Sequence, residues 1–251
     1  GRNIISPKAK VAPYNNVKTT LAEFHATCLG VKLTVEGFPH ASQDGEYMTC
    51  AETTTWNLME YFGNKYALYR PMLPSELINN LHAFSTQRMV PSSGLTVQQI
   101  SMAIEQQGFS ALLYSNKDAR FKELFTCYVE SGLPLAVAIS SKAGGHAVVC
   151  IGREEVDRSR MNNGMYLGKT GYVIWNYNVD KFVFNDDNRP SYMIDEFTKP
   201  TQYLTNAAIQ SFIVPLHKKI YLPAEQAIDT SHFIINKEFT FATGSVVRTF
   251  L

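Results

Sequence analysis

Apolar residues recur at helical spacing in the first half of the chain and alternate at strand spacing in the second. The clearest helix is announced by Thr49-Cys50-Ala51-Glu52, a capping-box pattern with Thr at the N-cap and Glu three residues on. Ala51, Thr55, Leu58 and Phe62 follow as a stripe on one face, and Gly63-Asn64 supplies a stop, so a helix is predicted over 50–62. Three more helices follow on similar grounds. "PSELINNLHAF" carries Leu77, Ile78, Leu81 and Phe84. "TVQQISMAIEQQG" has Thr96 as N-cap, Val97, Ile100 and Ile104 inward, and Gly108 as its end. "KDARFKELFTCYVESG" has Phe121, Leu124, Phe125 and Tyr128, closed by Gly132. Nearer the start, Leu21, Phe24, Cys28 and Leu29 in "VKTTLAEFHATCLG" also fit a helix, stopped by Gly30, before a strand over "VKLTVEG".

"FSALLYS" reads as a strand. From Pro134 the period shortens: "LPLAVAIS" and "HAVVCIG" are β-rich runs split by the turn "SKAGG". A polar insert, "REEVDRSRMNNGMYLGKTG", has the composition of a solvated loop. "YVIWNYN" and "KFVFND" then read as a hairpin. The tail holds a strand-like run ending at Pro215 and further strand-like material in "HFIINKEFTFATGSVVRTFL". Helices first and antiparallel strands second predict an α+β fold with a cleft between the halves. The expected organisation is an N-terminal extension over 1–36, a core over 37–199, and C-terminal strands over 200–251 that complete the sheet or dock on a further region of a longer chain.

With 251 residues, 45% of them hydrophobic, the chain is long enough to bury a sizeable core. A net charge of +1 implies no broad nucleic-acid footprint, and no apolar run reaches membrane-spanning length. The four cysteines, Cys28, Cys50, Cys127 and Cys150, are far apart without a C-x-x-C pair, a spacing unlike that of zinc or iron–sulfur sites.

Cys50 stands out among them because it falls at the first position of the predicted helix. A thiolate is the nucleophilic form of cysteine, and the positive end of a helix dipole and a nearby imidazolium both favour it. Glu52 works against the dipole unless its capping bond holds it away from the sulfur. Of six histidines, only His146 opens a buried-looking strand behind a glycine pair, "GGHAVV", and alternation puts it on one face with Val148 and Cys150. His40 is an alternative base, and Cys150 reads as a packing residue. An acid or amide must hold the imidazole in its tautomer. "FVFNDDN" offers Asp186, on the side of Phe182 and Phe184, with Asp187 and Asn185 behind it. Gln43, seven residues before Cys50, is positioned to fold back as an oxyanion donor, with Gly45 easing the turn.

Gln43, Cys50 at a helix start, "GLPLAVAI…GGHAVVCIG" and "VFNDD", in that order, resemble the papain-like cysteine peptidase superfamily, nearest the branch of the double-glycine leader peptidases. The resemblance covers residues 37–195. It implies a papain-like fold, with Gln43 as oxyanion donor, Cys50 as nucleophile, His146 as base and Asp186 as orienting acid. It implies no metal or organic cofactor, and a peptide or protein as substrate. The same constellation serves peptide hydrolysis, transglutamination and deamidation. A non-catalytic papain-like binding module is the alternative of a different class.

Overall fold

The computed structural model describes residues 3–9, 16–43, 49–82, 94–156, 166–167, 172–173, 179–220, 222–235, 239–240 and 246–247. In chain order these form β1 (Asn3–Ile5), β2 (Val17–Thr19), β3 (Ala22–Cys28), β4 (Val31–His40), α1 (Cys50–Lys65), α2 (Pro74–His82), α3 (Val97–Gln106), β5 (Phe109–Ser115), α4 (Phe121–Glu130), β6 (Leu135–Ser141), β7 (Gly144–Glu154), β8 (Tyr166–Leu167), β9 (Tyr172–Val173), β10 (Lys181–Asn185), β11 (Met193–Glu196), β12 (Ala208–His217), α5 (Ala224–Ile235), β13 (Phe239–Thr240) and β14 (Val246–Val247). The fold is α+β.

A seven-stranded antiparallel sheet organises the chain, in the order β11-β10-β7-β6-β12-β5, with β2 added against the far end of β7. Strand alternation sends side chains to two faces, and helices cover both. On one face Ala136, Ala147, Val149 and Ile213 pack with Leu58, Phe62, Leu77, Ile100 and Ile104 of α1, α2 and α3. On the other, Val137, Val148, Cys150, Phe182, Phe184 and Phe212 pack with Phe121, Leu124, Phe125 and Tyr128 of α4. Helix α1 is the centre of the first cluster. Every residue from Ala51 to Phe62 is buried, so the expected stripe of Ala51, Thr55, Leu58 and Phe62 is only part of its packing surface. A helix buried all round carries apolar and small residues on every side, which blurs a stripe. It also continues past Gly63-Asn64 to Lys65. Gly63 is there for space: a Cβ on it would lie 2.5 Å from the backbone nitrogen of Pro71.

The helices expected at "PSELINNLHAF", "TVQQISMAIEQQG" and "KDARFKELFTCYVESG" correspond to α2, α3 and α4; residues 83–84 of the first lie outside the described residues. The helix expected across "VKTTLAEFHATCLG" does not form. Residues 17–19 and 22–28 are strands, and β3 pairs with β4 from Ala22↔Gly37 to Cys28↔Val31. Leu29 and Gly30, both at positive φ, make the two-residue turn, so the glycine that reads as a helix stop is the corner of a hairpin. Ala22 and Phe24, two apart, are the residues this strand buries.

The boundary expected at 36/37 falls inside β4, and Ala22, Phe24 and Phe38 share one core with α1. Phe38 stacks on Tyr61 with ring centroids 4.9 Å apart. At the other end of the chain, β12 inserts between β6 and β5 and completes the sheet from within. It runs through Pro215 to His217; from Val214 onward its paired neighbour is β5, so the missing proline N–H interrupts no ladder to β6. The hairpin expected between "YVIWNYN" and "KFVFND" is not observed: β10 pairs with β7 and β11, whereas β9 pairs with β8. Residues 174–178 of that segment, and most of the polar insert, lie outside the described residues.

Candidate active site

Cys50 is the first residue of α1, behind Thr49 as N-cap. The Glu52 carboxylate folds back to accept the Thr49 backbone N–H at 3.3 Å and also meets the Thr49 hydroxyl. The capping bond therefore directs the acid to Thr49, and the partly buried thiol keeps the open end of the helix.

His146 stands near the start of β7 and Asp186 just beyond the end of β10. The two strands are antiparallel neighbours, with Asn185 opposite Val149, so both residues belong to one end of the sheet. His146 Nε2 lies 2.9 Å from Asp186 Oδ1. The Cys50 thiol interacts with the same imidazole. Burial opposes a charge on this ring, yet the hydrogen bonds and charges of Asp186 and Cys50 outweigh it and hold the His146 pKa up to about 10. Burial likewise favours the neutral acid at Asp186, but the imidazolium, the Asn188 N–H and Arg189 bring its pKa below the usual carboxylate range.

The turn after β10 fixes the acid through several backbone bonds. Asp186 Oδ1 accepts the Asn188 N–H at 3.0 Å, and the Asp186 carbonyl accepts the Arg189 N–H at 3.0 Å. His40 donates Nε2–H to that same carbonyl at 3.1 Å, so this histidine braces the backbone of the acid. Asn185 accepts the Tyr192 N–H at 2.7 Å, which makes it a clamp on the turn.

Asp187 is buried, with Oδ1 3.7 Å from His146 Nε2. Burial, followed by the neighbouring Asp186 charge and carboxyl contact, outweighs the attraction of His146 and raises its pKa to about 6. Ligand atoms of His146, Asp186 and Asp187 lie within 4.8 Å of one another. The bond between Nε2 and Oδ1 is already accounted for by a proton, and we read the group as an imidazole held by two acids.

The structure brings Gln43 to the same neighbourhood, but its Nε2 donates to Asn188 Oδ1 at 2.7 Å. Residues 44–48, between it and the helix, lie outside the described residues. Val148 and Cys150 pack in the α4 core, and burial pushes the Cys150 thiol pKa up, as fits a packing residue. Tyr203 has no counterpart in the sequence reading. Its hydroxyl lies 2.9 Å from His146 Nε2 and 3.5 Å from Asp186 Oδ1, and it accepts from Asn188 Nδ2 at 3.2 Å. It sits in a polar loop, "TQYLT", with no local signal; only the insertion of β12 into the sheet carries it there.

No protein-family model matches the chain, and comparison with curated proteins returns no relative.

Proposed function

We propose that the chain is a thiol hydrolase of papain-like fold that cleaves a peptide or isopeptide bond. The observation that carries this reading is the continuous contact from the Cys50 thiol, at the N-terminus of α1, through the His146 ring to Asp186. A helix-terminal thiol beside an imidazole that holds its proton to high pH is what a thiolate–imidazolium pair requires. With Nε2 turned to Asp186, the other ring nitrogen, Nδ1, serves the sulfur.

In this mechanism the Cys50 thiolate adds to the substrate carbonyl, and its own backbone N–H helps hold the oxyanion. The His146 imidazolium gives its proton to the leaving amine as the C–N bond breaks, leaving a thioester. Neutral His146 then takes a proton from water, which attacks the thioester and releases the acid and the thiol. Asp186 holds the ring orientation throughout. Gln43 completes the oxyanion hole once its amide turns from Asn188 to the substrate. Transamidation or deamidation would use the same steps with a different acceptor or amide. The present Gln43–Asn188 bond favours the second reading, a non-catalytic papain-like module that binds a peptide or protein partner, because it occupies the expected oxyanion donor.

Iodoacetamide alkylation at graded pH, mapped by mass spectrometry, tests the proposal. Cys50 is expected to react selectively well below the free-thiol pKa of roughly 8.5, and His146→Ala to abolish that selectivity. Labelling of Cys50 that merely follows the exposed Cys28, slow until the pH nears roughly 8.5, favours the binding module.

A further inference from the structure

Two adjacent carboxylates face one imidazole here, although one is enough to orient it. Asp187 is 9% exposed, and among the described residues no N–H or O–H donor of another residue reaches its carboxylate oxygens; its own backbone N–H is the one group that favours its charge besides His146. Asp186 Oδ2 is likewise buried without a donor. What does meet the Asp187 side chain is the carboxyl of Asp186, and a carboxyl–carboxylate contact is favourable only with a proton in it. Other ionisable or charged groups around the pair are His146 from β7, with Cys50 of α1 behind it, Tyr203 from the loop before β12, His40 of β4 against the Asp186 backbone, and Arg189 in the turn. Among the described residues, only His146 offers Asp187 a close cation, 3.7 Å away.

We infer that Asp187 is a second acid of the site, a positioning residue that sets whether the His146 imidazolium is held by one negative charge or by two. When protonated, Asp187 donates to the Asp186 carboxylate, and the pair carries a single charge. When that proton leaves to solvent, both carboxylates are ionised, and the added charge favours the imidazolium and with it the Cys50 thiolate. The exchange is a proton to and from water, with no other reactant. The inference rests on the thiol-hydrolase reading for its consequence, though not for the acid pair itself. Its effect falls near pH 6, where burial and Asp186 place the Asp187 titration.

The test combines two measurements on the full chain. With 13Cγ-labelled aspartate, the Asp187 carboxyl signal of the unsubstituted protein is expected to titrate near pH 6, with a coupled response from Asp186. The alkylation rate of Cys50 is expected to rise roughly 3- to 10-fold across the same interval, as a second charge near the imidazole requires. Asp187→Asn, whose amide donates to Asp186 as the protonated acid does, loses this step and keeps the slower rate; Asp187→Glu restores it. A merely structural role would lower the rate at every pH and leave the step in place. Persistence of the step in Asp187→Asn overturns the inference. So does an Asp187 signal that titrates in the ordinary range, about pH 3.9, with no response from Asp186. Zinc chloride added to chelator-treated protein must leave the two signals unmoved; a shift that Asp187→Asn abolishes marks a cation site and also overturns it. Coupled carboxyl titration without selective Cys50 alkylation supports the acid pair and removes the hydrolase reading alone.

Discussion

The hydroxyl of Tyr203 lies 2.9 Å from Nε2 of His146, against the same nitrogen that faces Asp186. Burial raises the Tyr203 pKa to about 12, so the group stays a phenol and points a donor at the acid. Tyr203→Phe removes one neutral hydrogen-bonding group worth about 1 kcal/mol. The Cys50 alkylation rate at pH 6 is expected to drop by roughly 3- to 10-fold, a range in keeping with that energy. With the residue 45% exposed, the thermal midpoint should stay within a few degrees of the parent's. A full loss of Cys50 reactivity would mean that the hydroxyl, and not Asp186, is the main partner of the imidazole.

Asp186→Asn keeps the shape of the turn and removes its charge. An amide cannot hold the imidazolium, so Cys50 alkylation at pH 6 is expected to slow by on the order of 10- to 100-fold. If the proposed hydrolase reading holds, turnover of a substrate would fall at least as far. Asn185→Ala, which removes the side chain that clamps Tyr192, should cost stability and leave the pH profile of alkylation in place. Denaturant midpoints measured beside alkylation rates separate the two.

Stability should depend on pH in two opposed ways. His146 has a folded pKa raised from 6.5 to about 10, so its contribution is complete below 6.5 and is lost as pH climbs through 10. Asp186 is lowered from 3.8, so its contribution is present above 3.8 and is lost as pH falls through the lowered value. The deficit of Asp186→Asn in urea midpoint should therefore be greatest between those ordinary values, 3.8 and 6.5. Asp187 is raised from 3.8 to about 6, so the parent protein loses stability as pH rises through that interval. Asp187→Asn should remove a penalty on the order of 3 kcal/mol above pH 6. Urea midpoints at pH 4, 6 and 8 check both signs.

Gly63→Ala should destabilise the fold even though alanine is the better helix former by about 1 kcal/mol. The new methyl would lie 2.5 Å from the Pro71 nitrogen and 2.7 Å from the Arg70 carbonyl carbon. Backbone atoms cannot rotate away as a side chain can, and overpacking of this kind costs about 1–3 kcal/mol. A urea midpoint equal to or above the parent's would show that the 70–71 segment yields.

The sequence carried in legible form whatever depends on neighbours along the chain. The capping box at Thr49 and Glu52 marks the start of α1 and puts Cys50 at its first position. Helices α2, α3 and α4, and strands β5, β6 and β7, follow from local period and caps. "GGHAVV" and "VFNDD" are local strand ends, which is why His146 and Asp186 were readable as candidates. Tertiary structure alone decided what pairs across space. The positions of Leu21, Phe24 and Cys28 suit a helix, but pairing with β4 draws residues 22–28 into a hairpin, because a strand satisfies its backbone only with a partner. That Asp186 meets the imidazole while Asn185 accepts from Tyr192 comes from the turn after β10. His40, Tyr203 and the buried charge of Asp187 act through residues as much as 146 positions apart in the chain. Such contacts arise from sheet order and from strand β12 entering between β6 and β5, and no local pattern of apolar and polar residues encodes them.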